Sequence, residues 1–342
     1  MSLSRRTFLA TASACLALPA IARAQTTHQL KLSHYLPPQH QINAELNRWA
    51  DELRETTGGS LDIQVFPAGQ MGPPPRQYDL ARTGVADLAF VYIALSPGRF
   101  PRTDALSLPF LFADDAGVPV STADASWIAT SMKDMLQPEY AGTEILYDVV
   151  STSLGFFMKD RLIETPADMK GLRIRPTSAI VSSQLEALGA SPATIAPAEL
   201  ADAIAKGVVD GAVFNFEGGK AFQLQQSVTK VSQLASSVGF FSLVMNQNAL
   251  DGLPAEMRKV IHDSTGPEAG RRVGALYDKA EAAGRQFMVE KGVEIIELTG
   301  DRKTPFAEKL KPVADRQIAD LEAKGIDVDA IVARVNQLKA EL

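Results

Sequence analysis

Two kinds of hydrophobic pattern alternate along the first third of the chain. Residues 42–53 place an apolar side chain at every third or fourth position, which predicts one buried face of a helix. Residues 29–35, 61–65 and 87–92 are short runs with the alternating or continuous apolar character of strands. A short helical segment at 78–83 precedes the third of these runs. The order βαβαβ is typical of an α/β lobe with a largely parallel sheet.

A second α/β unit follows after a stretch rich in Pro and Gly. Its predicted helices cover 182–188 and 197–206. Its predicted strands, together with the strand that leads into it, are 145–150, 155–158, 172–175 and 208–214. Two such units in 342 residues suit a protein of about two domains.

The C-terminal third is mostly helical. Pro267 begins a helical pattern that continues to Lys291, about 25 residues or ~37 Å, longer than one small lobe needs. We therefore expect this helix to span both lobes. A strand at 293–298 and helices at 304–324 and 328–341 complete the prediction.

These elements predict an α/β protein with two lobes. Lobe I is expected to comprise residues 25–150 and about 240–280, and lobe II about 151–239 and about 281–342.

The first 24 residues have the organisation of an export signal. Arg5 and Arg6 precede an apolar run over 8–21, which is too short to span a bilayer as a helix. The run ends at Ala22-Arg23-Ala24, a small-x-small cleavage pattern. The paired arginines favour the Tat route, so we expect a protein exported to the periplasm.

The charge of the chain and its few reactive residues exclude several functions. Cleavage after Ala24 leaves 31 basic and 40 acidic residues, a net charge of −9, which argues against nucleic acid as a partner. Cys15, the only cysteine, lies within the signal. The four histidines lack HxxxH or HExxH spacing, and no GxSxG, GxxxxGK[ST] or GxGxxG motif occurs. We therefore expect no enzyme activity, no metal site and no cofactor.

Several motifs occur together in one order along residues 30–245. They are Val65-Phe66-Pro67-Ala68-Gly69-Gln70-Met71-Gly72, Leu108-Pro109-Phe110-Leu111-Phe112, Thr165-Pro166-Ala167-Asp168-Met169-Lys170-Gly171-Leu172-Arg173-Ile174-Arg175, Leu188-Gly189-Ala190-Ser191-Pro192 and Gly207-Val208-Val209-Asp210-Gly211. Through them the chain resembles the extracytoplasmic binding subunits of TRAP transporters, the DctP-like family. The resemblance implies two lobes with a ligand cleft between them, which close on a small organic carboxylate and deliver it to integral membrane subunits.

The resemblance also implies site residues. Arg175 matches the ligand-binding arginine of the family, and a guanidinium suits this role because it donates two parallel hydrogen bonds to one carboxylate. The family often places a ligand-contacting asparagine after Asp210-Gly211. A direct count from the sialic-acid branch puts Phe214 there, whereas a one-residue insertion puts Asn215 there, which we favour.

One departure from the family pattern bears on the ligand. The sialic-acid branch has a second arginine where Gly155 stands here. A single arginine favours a monocarboxylate with an apolar or aromatic body. Aromatic residues that could form the wall, and polar residues that could contact the ligand, are Tyr92, Phe156, Phe214, Phe216, Arg76 and His34.

Two other functions remain open at this point. The same fold could serve an ABC importer or a sensor, and an α/β scaffold could belong to a secreted hydrolase. The sequence also leaves open whether a metal ion bridges the carboxylate and the protein.

Overall fold

We describe a computed structural model of the chain over residues 27–113 and 119–342. The predicted export signal, residues 1–24, lies outside the described residues. The β-strands are β1 (His28–Ser33), β2 (Leu61–Phe66), β3 (Leu88–Tyr92), β4 (Thr143–Val150), β5 (Gly155–Met158), β6 (Arg173–Arg175), β7 (Ser191–Pro192), β8 (Gly211–Phe214), β9 (Lys230–Gln233), β10 (Phe240–Asn246) and β11 (Glu294–Glu297). The α-helices are α1 (Gln41–Thr56), α2 (Gln77–Arg82), α3 (Pro101–Ala105), α4 (Thr122–Ser131), α5 (Lys133–Leu136), α6 (Ala179–Ala187), α7 (Leu200–Ala205), α8 (Phe216–Ala221), α9 (Gln247–Asp251), α10 (Ala255–Ser264), α11 (Pro267–Glu290), α12 (Thr304–Glu322) and α13 (Val328–Lys339).

The strands form two separate sheets, one in each lobe. The sheet of lobe I has the order β2-β1-β3-β10-β4, with β1 parallel to both β2 and β3 and with β10 antiparallel to β3 and β4. The sheet of lobe II has the order β11-β9-β5-β8-β6-β7. The predicted α/β fold with a parallel βαβαβ start is therefore confirmed.

The helix α1 shows why the first lobe forms as it does. Its apolar positions Ile42, Leu46, Trp49 and Leu53 are all buried against the sheet of lobe I. The helix ends at Thr56, and two glycines with positive φ, at 58 and 59, reverse the chain into β2.

Four segments connect the lobes. Residues 151–154 carry the chain from β4 to β5, and residues 234–239 return it from β9 to β10. Helix α11 packs on α4 and β4 in lobe I and on α8 in lobe II, as the predicted domain-spanning helix should. Helix α12 also spans the lobes, because Phe306 and Leu310 lie in the core of lobe II whereas Leu321 lies in that of lobe I.

The C-terminal segment departs from the predicted division of the chain, which assigned about 281–342 to lobe II. The apolar face of α13 packs in lobe I, in one core with residues of α3 and α4. This face is formed by Val328, Ile331, Val335 and Leu338. Its helical spacing predicts a buried face but cannot indicate which lobe buries it. Throughout residues 27–113 and 119–342, the helices are too short or too polar for a membrane span.

Candidate functional site

A cavity lies between the two lobes, with an empty volume of about 560 Å³ that includes its mouth. We call it the interlobe cavity. Lobe I and helix α11 contribute Tyr35, Leu36, His40, Tyr92, Leu95, Phe241 and Tyr277. Lobe II and the crossing segment contribute Ser151, Leu154, Arg175, Thr177, Pro197, Phe214, Asn215, Glu217, Gly218 and Phe222.

Strand direction explains why these residues meet. In lobe II, β6 and β8 are parallel neighbours, and they end at Arg175 and Phe214. In lobe I, β3 ends at Tyr92, and Tyr35 follows the end of β1, its parallel neighbour. Ligands of α/β proteins bind beyond the carboxyl ends of such strands, and here the two sets of strand ends face one cavity.

Among the described residues that line the interlobe cavity, Arg175 is the only lysine or arginine. Its side chain is 4% exposed, its Nε donates to the carbonyl oxygen of Ile195 at 3.2 Å, and its guanidinium lies 5.4 Å from the centre of the Phe214 ring. Within the described part of the chain, no carboxylate lies within ion-pairing distance of it. Burial lowers the pKa of Arg175, and the nearby Tyr92 and Tyr35 oppose that change. A buried, unpaired cation is costly, so the site favours an anion.

Aromatic and aliphatic side chains form most of the cavity wall. The Phe241 ring lies 4.7 Å from Tyr92 and 5.9 Å from Tyr277, measured between ring centres. Phe214 and Phe222 form an edge-to-face pair 6.1 Å apart on the side of lobe II. Such a wall suits a flat apolar ligand body.

Glu217 connects the lobes across the cavity. Its Oε1 lies 2.6 Å from Nε2 of His40 and accepts a hydrogen bond from Nε2 of Gln41 at 2.7 Å. His40 is also the N-cap of α1, because its Nδ1 accepts from the backbone N–H of Ile42. Since Nδ1 acts as an acceptor, the hydrogen of the ring lies on Nε2, which donates to Glu217.

Asn215 lines the cavity, but its amide already has partners in the protein. Its Oδ1 accepts from the backbone N–H of Gly218 as the N-cap of α8, and its Nδ2 donates to Oγ1 of Thr152 at 2.8 Å. Glu281, which belongs to α11, accepts from the first two backbone N–H groups of α8, those of Phe216 and Glu217. These bonds fix the start of α8, and with it Glu217, against the domain-spanning helix.

The structure brings four of the predicted ligand-contacting residues to the interlobe cavity: Arg175, Asn215, Tyr92 and Phe214. Whether they contact the ligand stays a prediction.

The other four predicted residues lie elsewhere. Phe156 packs on Phe306 in the core of lobe II, and Phe216, the first residue of α8, packs on Phe157 in a second core of that lobe. Arg76 is exposed in a short 3-10 turn before α2. His34 is buried within lobe I and bonds Asn43 through Nε2 at 3.1 Å, and burial lowers its pKa to about 4.

Several cavity residues were not predicted from the sequence, notably Tyr35, Glu217 and Tyr277. Tyr35 and Glu217 had a usable signal, because each follows shortly after a strand that ends at the cleft. Tyr277 lies in the middle of a long amphipathic helix, where nothing local distinguishes it from a core residue.

The surroundings of Gly155 agree with the absence of a second arginine. A Cβ at this position would lie 2.3 Å from Oε1 of Gln233 and 3.1 Å from the carbonyl oxygen of Ser232. Leu154 presents an apolar side chain to the cavity instead. Within the described residues there is also no group of three or more His, Cys, Asp or Glu side chains placed to hold a metal ion.

The profile of the bacterial extracellular solute-binding protein family 7 (DctP) matches residues 32–320. The chain belongs to this family. Family 7 proteins are the solute-binding components of TRAP transporters and not enzymes, so the chain is a periplasmic TRAP solute-binding protein, as its motifs predicted.

Three family 7 relatives illustrate the range of the similarity. A TRAP solute-binding protein from Rhodoferax ferrireducens, solved with copurified benzoate, is 27% identical with a TM-score of 0.84, over 92% of this chain and 98% of that one. A marine metagenome TRAP solute-binding protein specific for aromatic acids, solved in complex with metahydroxyphenylacetate, is 26% identical with a TM-score of 0.82. The match covers 92% of this chain and 98% of that one. The C4-dicarboxylate-binding protein DctP of Rhodobacter capsulatus is 24% identical, over 92% of each chain.

Proposed function

We propose that this protein captures an aromatic monocarboxylate in the interlobe cavity and delivers it to the membrane subunits of a TRAP transporter. The observation that carries the proposal is the buried guanidinium of Arg175, which has no acidic partner among the described residues and lies against an aromatic wall. The carboxylate of the ligand would supply the missing negative charge, and the wall would enclose its ring.

Two relatives support an aromatic ligand. The benzoate complex and the metahydroxyphenylacetate complex come from proteins that share more than a quarter of their residues with this chain. A C4-dicarboxylate, the ligand in the name of another relative, is a second candidate. One cation in the cavity lining, together with a carboxylate at Glu217, favours the monocarboxylate.

Calorimetry with benzoate and succinate tests the proposal. We expect wild-type protein to bind benzoate and Arg175→Ala to bind it at least 100-fold more weakly, because the variant leaves a carboxylate without its cation. Arg173→Ala is the matched control, since that side chain belongs to the same strand but is exposed. Equal affinity of the wild type and Arg175→Ala for benzoate, or binding of succinate alone, would contradict the proposal.

We further propose that export follows the Tat route, on the strength of Arg5 and Arg6. Replacing both with Lys should leave the precursor uncleaved in the cytoplasm, as seen by fractionation and immunoblotting. Replacement of Arg23 alone is the control, because it lies outside the pair. Normal export of the double variant would contradict this route.

A further inference from the structure

A carboxylate, that of Glu217, lines the interlobe cavity together with Arg175. Glu217 is 6% exposed and lines the cavity, yet its only basic neighbour within 4 Å in the described residues is His40. Arg175 and Glu217 therefore share one cavity without forming an ion pair. Both act on Tyr35 of the cavity wall: burial raises the pKa of Tyr35 most, Arg175 lowers it and Glu217 raises it.

One oxygen of Glu217 is available to a ligand. Its Oε1 is used by His40 and Gln41. Its Oε2 has no hydrogen-bond partner in the described part of the chain. Unlike the unpartnered atoms that are sealed from solvent, this oxygen retains some exposure. Because Glu217 lines the cavity, this oxygen is a free acceptor there.

The hydroxyl of Tyr277 lies in the same region. Tyr277 is 1% exposed and lines the cavity, and its hydroxyl, which is sealed from solvent, has no hydrogen-bond partner among the described residues. Burial raises its pKa well above the usual value, and Glu217 is the next largest cause. A buried phenol without a partner is costly, so this hydroxyl also calls for a polar group.

We propose that Glu217 and Tyr277 form a second recognition site in the interlobe cavity, which selects aromatic monocarboxylates that carry a hydroxyl group on the ring. The inference rests on the proposed function, since Arg175 must hold the carboxylate. A ring hydroxyl can donate to Oε2 of Glu217, and it can accept from the Tyr277 hydroxyl once a small shift of the cavity wall uncovers that group, which satisfies both side chains. A second carboxylate there would be repelled by Glu217, so the same site discriminates against dicarboxylates.

The test compares benzoate, its three monohydroxy isomers and the three benzenedicarboxylates by calorimetry. We expect wild-type protein to bind at least one hydroxybenzoate isomer about ten-fold or more tightly than benzoate, and the matching dicarboxylate at least ten-fold more weakly. In Glu217→Gln, the affinity ratio of hydroxybenzoate to benzoate and that of benzoate to the dicarboxylate should both shrink by about ten-fold, because the amide is neutral and is a weaker acceptor. Glu164→Gln, an exposed glutamate of lobe II, is the matched control.

Tyr277→Phe provides an independent variant, in which the preference for the hydroxyl should fall while the rejection of dicarboxylates persists. A hydroxyl preference that survives in both variants, or a wild type that binds benzoate and every hydroxybenzoate equally, overturns this inference but leaves the proposed function intact. A wild type that binds none of these acids overturns the proposed function and this inference with it.

Discussion

At the scale of single residues, the protein keeps several ionisable groups away from water. Asp148 on β4 is fully buried, and burial raises its pKa to about 7. One of its oxygens accepts from the hydroxyl of Ser242, whereas the other has no partner among the described residues. A carboxyl group in this position is more easily accommodated when protonated.

This placement predicts a pH-dependent stability. The folded state holds a proton on Asp148 up to about pH 7, whereas the unfolded chain releases it near pH 4, so this contribution to stability falls as the pH rises between these values. Asp148→Asn does not titrate. We expect the free energy of unfolding of Asp148→Asn in urea, relative to that of the wild type, to rise by a few kcal/mol from pH 4 to pH 7. This is the order of magnitude that the pKa shift of Asp148 implies.

The exposed Asp160 provides the control for this experiment, and Asp160→Asn should keep a constant difference from the wild type over the same range. A constant difference for Asp148→Asn as well would show that the buried carboxyl does not retain its proton.

Residue-scale prediction from sequence was uneven for a physical reason. Arg175 could be named because its motif fixes its place at a strand end, and Phe214 lies at the corresponding end of the neighbouring strand. Phe156 and Phe216 are as hydrophobic as Phe214, and only the packing of lobe II decides which ring faces the cavity and which ones fill the core.

At the scale of elements, the domain-spanning helix α11 makes very close contact with both lobes. A Cβ on Gly274 would lie 2.5 Å from the carbonyl oxygen of Thr122 in lobe I, and one on Gly284 would lie 2.4 Å from that of Phe216 in lobe II. Neither neighbour can move aside without moving backbone. The glycines therefore let this helix approach both lobes at once.

Gly284→Ala should consequently destabilise the protein. Alanine improves the helix by about 1 kcal/mol, but the clash with backbone costs typically 1–3 kcal/mol, so the net effect should be a lower Tm. Because Gly284 packs on the start of α8, which carries Glu217, affinity for the ligand should fall as well. Calorimetric melting with Ala282→Ser as an exposed control measures the first effect, and an unchanged Tm would contradict the proposed contact.

Most elements of both lobes could be predicted because their patterns are local. The helix α1, the strands β4 and β5 and the long helix α11 all follow from apolar spacing and from Pro or Gly at their ends. The return of α13 to lobe I could not be predicted, since it depends on which apolar face lies within reach after α12 has crossed between the lobes.

At the scale of the whole molecule, the contact between His40 and Glu217 bridges the two lobes across the cleft. It joins the N-cap of α1 in lobe I to α8 in lobe II. A ligand favours this arrangement only through contacts that it makes better in the closed than in the open form. Groups on both lobes line the interlobe cavity, which meets that condition.

His40→Asn tests the bridge between the lobes. Asparagine preserves the N-cap of α1 but is too short to reach Glu217, so the variant removes the His40 contact of the bridge and leaves that of Gln41. We expect roughly ten-fold weaker binding of benzoate and a larger radius of gyration for the benzoate complex by small-angle X-ray scattering. The Arg173→Ala protein should match the wild type in both measurements. A His40→Asn protein with the radius of gyration and the benzoate affinity of the wild type would argue against the bridge.

The packing of α13 on lobe I has a practical consequence for measuring the opening and closing of single molecules. A dye on the exposed Asn336 of this helix would move with lobe I, and one on the exposed Lys206 beside α7 would move with lobe II. The only natural cysteine, Cys15, precedes the predicted cleavage point, so two introduced cysteines would be the sole thiols of the processed chain. Energy transfer between the dyes would then report each capture event as it happens.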